Sequence, residues 1–279
     1  MDEQALKLKS IEYRKTILTI IHHAKAGHTG GSLSCVDILN VLYNRVMNIS
    51  PQNFSDPDRD RYIQSKGHSV EALYTVLADK GFFPREELNT LNEYQSHFIG
   101  HPTRKVPGVE QNTGALGHGL SVAVGVALSG KLDGRSYRVY TLLGDGELTE
   151  GSSWEAGMTA AHYKLDNLVV IVDRNGLQIT GPTERVVALE SLEAKFRAFG
   201  FEVRTCDGND IADLINTLEQ VPFETGKPNL IIANTVKGKG VSFIEDQIGW
   251  HHKVPTDEQL ADALAELERA QADLVKVTA

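Results

Sequence analysis

Two short motifs near the middle of the chain combine residue types that could do chemistry. Gly144-Asp145-Gly146 carries a carboxylate between two glycines, and Arg174-Asn175-Gly176 carries an amide thirty residues after that carboxylate. A carboxylate and an amide oxygen are hard ligands, suited to Mg²⁺ or Ca²⁺ rather than zinc. Mg²⁺ takes one or two carboxylates and completes its shell with phosphate oxygens and water. Gly146 lets the backbone approach a phosphate closely, and a helix N-terminus behind it adds N–H donors and a favourable dipole. Alone, each tripeptide reads as a turn, because Asp, Asn and Gly dominate turns. As a pair they imply a diphosphate held through a divalent cation, provided that the chain between them brings them together.

The intervening chain has the form to do so. YRVYTLL (137–143) reads as a strand, EGSSWEAGMTAAHYK (150–164) as a helix and NLVVIVD (167–173) as the next strand. In such a βαβ unit both strands run the same way, so Asp145 and Asn175 each lie just past a carboxyl end, the edge where open α/β sheets bind ligands. Further strands read at 61–65, 201–207 and 230–236, alternating with helical segments at 69–80, 117–130, 191–199 and 210–220. Apolar runs such as LVVIV and LIIA suit parallel strands covered on both faces. Near the N-terminus Leu6, Tyr13, Ile17, Ile20, Ile21 and Ala24 share one face of a helix over 4–26, which Gly27 is expected to end. A second helix over 35–48 follows a Ser/Gly-rich turn, and Thr256 with Gln259 forms a capping box for a closing helix. The expected fold is α/β, a doubly wound, mostly parallel sheet with helices on both faces, forming one domain over residues 1–279.

Six of the ten histidines sit in five glycine-flanked loops instead of on apolar helix faces. They are His28 in GHTGGSLS, His68 in SKGHS, His101 in FIGHP, His118 in GALGHGLS, and His251 and His252 in GWHHK. Histidine suits a proton-transfer site because its charge changes near neutral pH. Their spacing matches no zinc pattern.

Bulk properties exclude several classes. A net charge of −9 with scattered lysines and arginines offers no footprint for nucleic acid. The longest apolar run, 122–128, is too short to span a bilayer, so no membrane partner is expected. The polar N-terminus is unlike a signal peptide, and two distant cysteines, Cys35 and Cys206, fit a reducing, cytoplasmic setting.

These motifs together resemble the thiamine-diphosphate fingerprint, and the transketolase family within it. GDGE with RNG matches the fingerprint's two ends, SKGH matches directly, and GHTGGSLS resembles the family's Gly-His-Pro-Gly-Gly loop with Thr29 in place of proline. GHP at 100–102 matches without the usual following acid, and PGVEQNTGALGHGLS resembles the family's Thr-Gly-x-Leu-Gly segment. The resemblance implies a thiamine-diphosphate-binding fold, with thiamine diphosphate and Mg²⁺ (or Ca²⁺ or Mn²⁺) as cofactors. It implies that Asp145, Asn175 and the Leu177 carbonyl bind the metal. Gly144, Gly146, Glu147, Asn175, His68 and His252 would hold the cofactor, with Gly114 and Leu116 near its aminopyrimidine and Ile179 packed against it. His28, His101 and His252 would contact substrate or move protons, and Glu150 would act at an interface near the cofactor. Lys237 stands where many transketolases have an apolar residue; it could meet the diphosphate as a point charge or be a solvated loop lysine.

The resemblance covers only the first half of a conventional transketolase. It implies the N-terminal subunit of a split enzyme that moves a two-carbon ketol unit from a ketose (phosphate) to an aldose (phosphate). A C-terminal subunit would complete it, as a heterotetramer with two copies of each chain. Lys237 also resembles deoxyxylulose-phosphate synthase, so that activity, or 2-oxo-acid decarboxylation, is the same-family alternative. A non-catalytic cofactor-binding module is the other. A Mg²⁺-nucleotide fold lacks support, since neither a Walker loop nor G-x-G-x-x-G is found at the first strand.

Overall fold

The computed structural model describes residues 1–276. Its order is α1 (Glu3–Ala24), α2 (Thr29–Val41), β1 (Arg61–Gln64), α3 (Val70–Asp79), α4 (Gly119–Leu132), β2 (Val139–Gly144), α5 (Gly151–His162) and β3 (Leu168–Arg174). The one-turn helix α6 (Thr183–Val186) follows, then α7 (Leu192–Phe199), β4 (Glu202–Asp207), α8 (Ile211–Leu218), β5 (Asn229–Asn234) and α9 (Asp257–Lys276). The five strands form one wholly parallel sheet in the order β1-β2-β3-β5-β4. Every residue of β2 is buried, as are the first six of β3, which fits a sheet covered on both sides.

Side chains alternate across that sheet. Tyr140, Leu142, Val169 and Ile171 join the core made with α1, α2, α3 and α8. Val139, Leu143, Val170 and Val172 join the core made with α4, α5 and α7. The doubly wound expectation therefore holds, and the β4 edge, with Arg204 and Thr205 exposed, is the one that meets solvent. The closing helix α9 packs on α1. Its capping box forms as read, with Gln259 N donating to Thr256 Oγ1 and Thr256 N to Gln259 Oε1, both at 3.2 Å. Residues 277–279, the end of the expected domain and helix, lie outside the described residues.

Two expectations near the N-terminus are corrected. Helix α1 ends at Ala24, and Lys25, not Gly27, takes the left-handed turn at φ 53°. Gly27 is required by space instead, since a Cβ there would lie 2.7 Å from Ile21 Cγ1 and 2.8 Å from Glu71 Oε1. The second helix begins at Thr29, so the supposed Ser/Gly-rich turn is its first turn. Tertiary contacts override the low helix propensity of glycine here. Ser32 Oγ donates to Glu71 at 2.8 Å, Ser34 Oγ to Asp173 at 2.6 Å, and a Cβ on Gly30 would meet the Trp250 carbonyl at 2.9 Å.

Candidate functional site

The register of β2 and β3 pairs Gly144 with Asp173, so the chain leaves both strands side by side at their carboxyl ends. Asp145 and Asn175 follow and line one cavity of about 260 Å³ together with Leu177. The Asp145 carboxylate is 2% exposed. Its Oδ1 accepts from Gly146 N at 2.7 Å, and its Oδ2 accepts from Arg174 Nη1 (2.8 Å), Gly176 N (2.7 Å) and Thr183 Oγ1 (3.2 Å). Burial raises its pKa above the ordinary carboxylate range despite Arg174, whose own guanidinium is raised by Asp145 and Glu190 against burial. Asn175 Oδ1 accepts from Leu177 N at 3.1 Å. The Leu177 carbonyl accepts from Lys237 Nζ at 3.0 Å, which uses one of its two lone pairs and leaves the other.

Two lysines supply positive charge to this pocket. Lys237 is 1% exposed and also lies 2.8 Å from His251 Nδ1. Burial, then the neighbouring Lys66, pull its pKa down to about 8. The solvated-loop alternative for Lys237 is thereby removed. Lys66 forms a buried ion pair with Asp173 and donates to the Gly31 carbonyl at 3.1 Å. Burial works against its charge, but Asp173 outweighs it and leaves the ammonium above its usual range.

Five of the loop histidines converge. The ring of His28 lies 4.4 Å from that of His252, 5.4 Å from His68, 5.7 Å from His251 and 6.0 Å from His101. Burial, then the facing imidazoles and Lys66, push His28 down to about 3; burial, then Lys237, push His251 to about 4. Burial also lowers His68 and His101. With their pKa values lowered, His28, His68, His101 and His251 favour the neutral imidazole near pH 7 and can each donate or accept a proton. His28, His68 and His251 line the cavity, whereas His252 is exposed beside His28 and His101 packs against Gly114. His118 points its Nδ1 at the Leu116 carbonyl from an exposed position, apart from the cluster.

The remaining sequence candidates divide by what their polar atoms do. Gly114, Leu116, Gly144, Gly146 and Glu147 all line the cavity. The Glu147 carboxylate, however, accepts from Ser65 Oγ (2.5 Å), Gly117 N (2.9 Å) and Gly144 N (3.1 Å), which clamps the 117 loop to the end of β2. Ile179 sits on the rim, 64% exposed. Glu150 is exposed, with its stem against Gly117, and does not line the cavity. Gly31, Lys66, Gln178 and His251 also line it and carried no sequence assignment.

These residues fit a diphosphate with a hard cation. His28 Nδ1 and Gln178 Nε2 are buried in the wall without a hydrogen-bond partner among the described residues. A Cβ on Gly31 would project to 3.5 Å from His68 and 3.8 Å from Lys66 Nζ, so glycine keeps that space open. The acceptors presented, Asp145, Asn175 and the Leu177 carbonyl, are all oxygens. Among the described residues no group of three or more His, Cys, Asp or Glu side chains is placed to hold a metal ion.

The depressed His28 pKa has a measurable consequence. Below about pH 6.5 the unfolded chain takes up a proton that the folded chain does not, so stability contributed by His28 is complete above 6.5 and is lost as pH falls toward 3. Glu71, fully buried beside the His28 N–H, has the opposite sign: burial raises it to about 7, so its contribution falls as pH rises from 4.5 through 7. Comparing wild type with His28→Asn separates the two. The variant should lose less melting temperature than wild type between pH 7 and pH 4, and parallel profiles would remove the assignment.

A family model described as transketolase, thiamine diphosphate binding domain, matches residues 9–268. The chain is 49% identical over 276 residues to one of the subunits of apulose-4-phosphate transketolase from Phocaeicola vulgatus, covering 99% of this chain and 98% of that protein. It is 43% identical over 275 residues to 6-deoxy-6-sulfo-D-fructose transketolase subunit SqwG of Clostridium sp., covering 98% of this chain and 100% of that one. The crystal structure of transketolase from Campylobacter jejuni superimposes with a TM-score of 0.89 at 32% identity, over 96% of this chain. This chain spans 43% of that transketolase.

Proposed function

Since the chain belongs to the transketolase family, we propose that it is the N-terminal, thiamine-diphosphate-binding subunit of a split transketolase. The enzyme would move a two-carbon ketol unit from a ketose or ketose phosphate to an aldose or aldose phosphate. The observation that carries this reading is the likeness to relatives that are themselves named as transketolase subunits, 49% and 43% identical over 98% and 100% of their length. No helix among the described residues is long and apolar enough to cross a membrane, and the proposed compartment is the cytoplasm.

When bound, thiamine diphosphate supplies the carbon nucleophile that adds to the ketose carbonyl. The chain's own residues would hold the cofactor and move protons beside it. Asp145, Asn175 and the Leu177 carbonyl would hold Mg²⁺, with Ca²⁺ or Mn²⁺ as substitutes. Lys66, with two of its three N–H groups engaged, has one left for the diphosphate, and Lys237 and His68 approach it from the facing loops. Ile179 offers apolar surface at the rim. His28, which lines the cavity, and His101 and His252, whose rings lie 6.0 and 4.4 Å from it, would move protons to and from substrate oxygens.

Exposed Ile179 and Val187, 64% and 51% accessible, with the exposed Glu150, suit a surface that a second subunit covers. We propose a C-terminal transketolase subunit there, two copies of each chain closing into a symmetric heterotetramer. The test is reconstitution. The purified chain should show no ketol transfer, and adding the partner should restore turnover that saturates at a one-to-one ratio. Robust transfer by this chain alone would defeat the split-enzyme reading.

A further inference from the structure

Arg174 stands inside the Asp145–Asn175 motif pair, yet its role comes from the structure alone. Its guanidinium joins three carboxylates: Nη1 donates to Asp145 Oδ2 at 2.8 Å, and Nη2 to Glu184 Oε1 at 2.6 Å and Glu190 Oε1 at 2.9 Å. The side chain is 12% exposed. Glu184 also accepts the backbone N–H groups of Leu189 and Glu190, at 3.1 Å and 3.3 Å, so the turn that anchors Arg174 is itself fixed.

The two Asp145 oxygens are treated unequally. Among the described residues Oδ2 receives Arg174, Gly176 N and Thr183 Oγ1, whereas Oδ1 receives only Gly146 N. An oxygen with two lone pairs is fully engaged by three donors, so Oδ2 has nothing left for a cation. Oδ1 has one lone pair left. The Thr183 hydroxyl can turn its proton away, but the guanidinium is planar, permanently charged and held by two further carboxylates. Arg174 therefore blocks Oδ2.

We propose that Arg174 is a positioning residue that restricts Asp145 to one-oxygen coordination and so makes the site prefer Mg²⁺ over Ca²⁺. Mg²⁺ demands a compact octahedron of single oxygens, whereas Ca²⁺ accepts more ligands and readily takes a carboxylate through both oxygens. This rests on the metal assignment under Proposed function, and the experiment keeps the two apart.

The experiment measures thiamine diphosphate binding by calorimetry, using the chain assembled with its C-terminal partner. Mg²⁺ and Ca²⁺ are each titrated for wild type, Arg174→Met and Arg174→Lys. In Arg174→Met the half-saturating Mg²⁺ should rise and the half-saturating Ca²⁺ should rise less or fall. The preference then moves toward Ca²⁺ by about tenfold, the scale on which residues supporting metal ligands act. Arg174→Lys, which restores one cationic donor, should recover part of the Mg²⁺ preference. A purely structural role would weaken both cations alike and leave their ratio unchanged, and that result overturns the inference. If Arg174→Met does not fold, Arg174→Gln is judged by the same ratio. Wild-type protein that binds thiamine diphosphate equally with and without either cation would overturn the metal assignment itself.

Discussion

Replacing Asp145 by alanine should abolish cation-dependent thiamine diphosphate binding while leaving the fold intact. Among the described residues two carboxylates line the cavity, and that of Glu147 is engaged by Ser65 and two backbone N–H groups. Asp145 is thus the side chain that can neutralise a cation placed between protein and diphosphate. Its loss should weaken binding by well over the roughly 10–100-fold seen when residues behind a metal ligand are changed. The fold should survive for a reason visible at Arg174. That guanidinium keeps Glu184 and Glu190 when Asp145 is removed, so no buried charge is stranded. The Gly146 and Gly176 N–H groups lose an acceptor, at about 1–3 kcal/mol each where water cannot replace it. Asp145→Asn keeps the shape and an oxygen but not the charge, and should fall between alanine and wild type. Calorimetric titration with Mg²⁺ and a thermal melt check both halves. Near-wild-type affinity in Asp145→Ala would remove Asp145 from the cation.

The part of this site that could be read in the sequence is the part written locally. Asp145 and Asn175 are one βαβ unit apart, and the apolar run at 168–172 marks where the second strand ends, so their meeting at one edge follows from parallel pairing. The helix at 151 and the strands flanking it were legible for the same reason. Elements whose form depends on distant partners were not. Thr29 to Ser34 reads as a turn because nothing local shows that Glu71 and Asp173 will take its serine hydroxyls. His251 and His252 are neighbours of the same type, and their spacing cannot tell which faces inward. A short helical turn at Ile248–Trp250 directs His251 to Lys237 and leaves His252 exposed. Glu147 carried the family's motif, but its use as a clamp depends on Ser65, 82 residues earlier. Lys66 was visible in SKGH, yet its importance needs Asp173, which lies 107 residues further on.

That last pair sets the other large expected effect, which is on stability. Lys66→Met should destabilise the chain by about 3–5 kcal/mol, because it leaves a buried carboxylate without its counter-charge. Asp173 is fully buried, and its oxygens accept from Lys66, from Ser34 at 2.6 Å and from Thr235. The two hydroxyls satisfy hydrogen bonds but supply no charge, so they cannot replace the ammonium. Lys66 in turn donates to the Gly31 carbonyl at the mouth of α2, so its loss also loosens the wall that His68 and His28 share. The double change Lys66→Met with Asp173→Asn removes both charges and should recover much of the loss, as replacing a whole buried pair is far milder than breaking it. Cofactor binding should not recover with stability, since the double variant still lacks the ammonium proposed to meet the diphosphate. Chemical denaturation of the two variants and wild type, followed by thiamine diphosphate titration of the double variant, separates the roles. A double variant no more stable than Lys66→Met alone would show that the pair's charges are not what holds this corner together. Full cofactor affinity in that variant would remove Lys66 from the diphosphate.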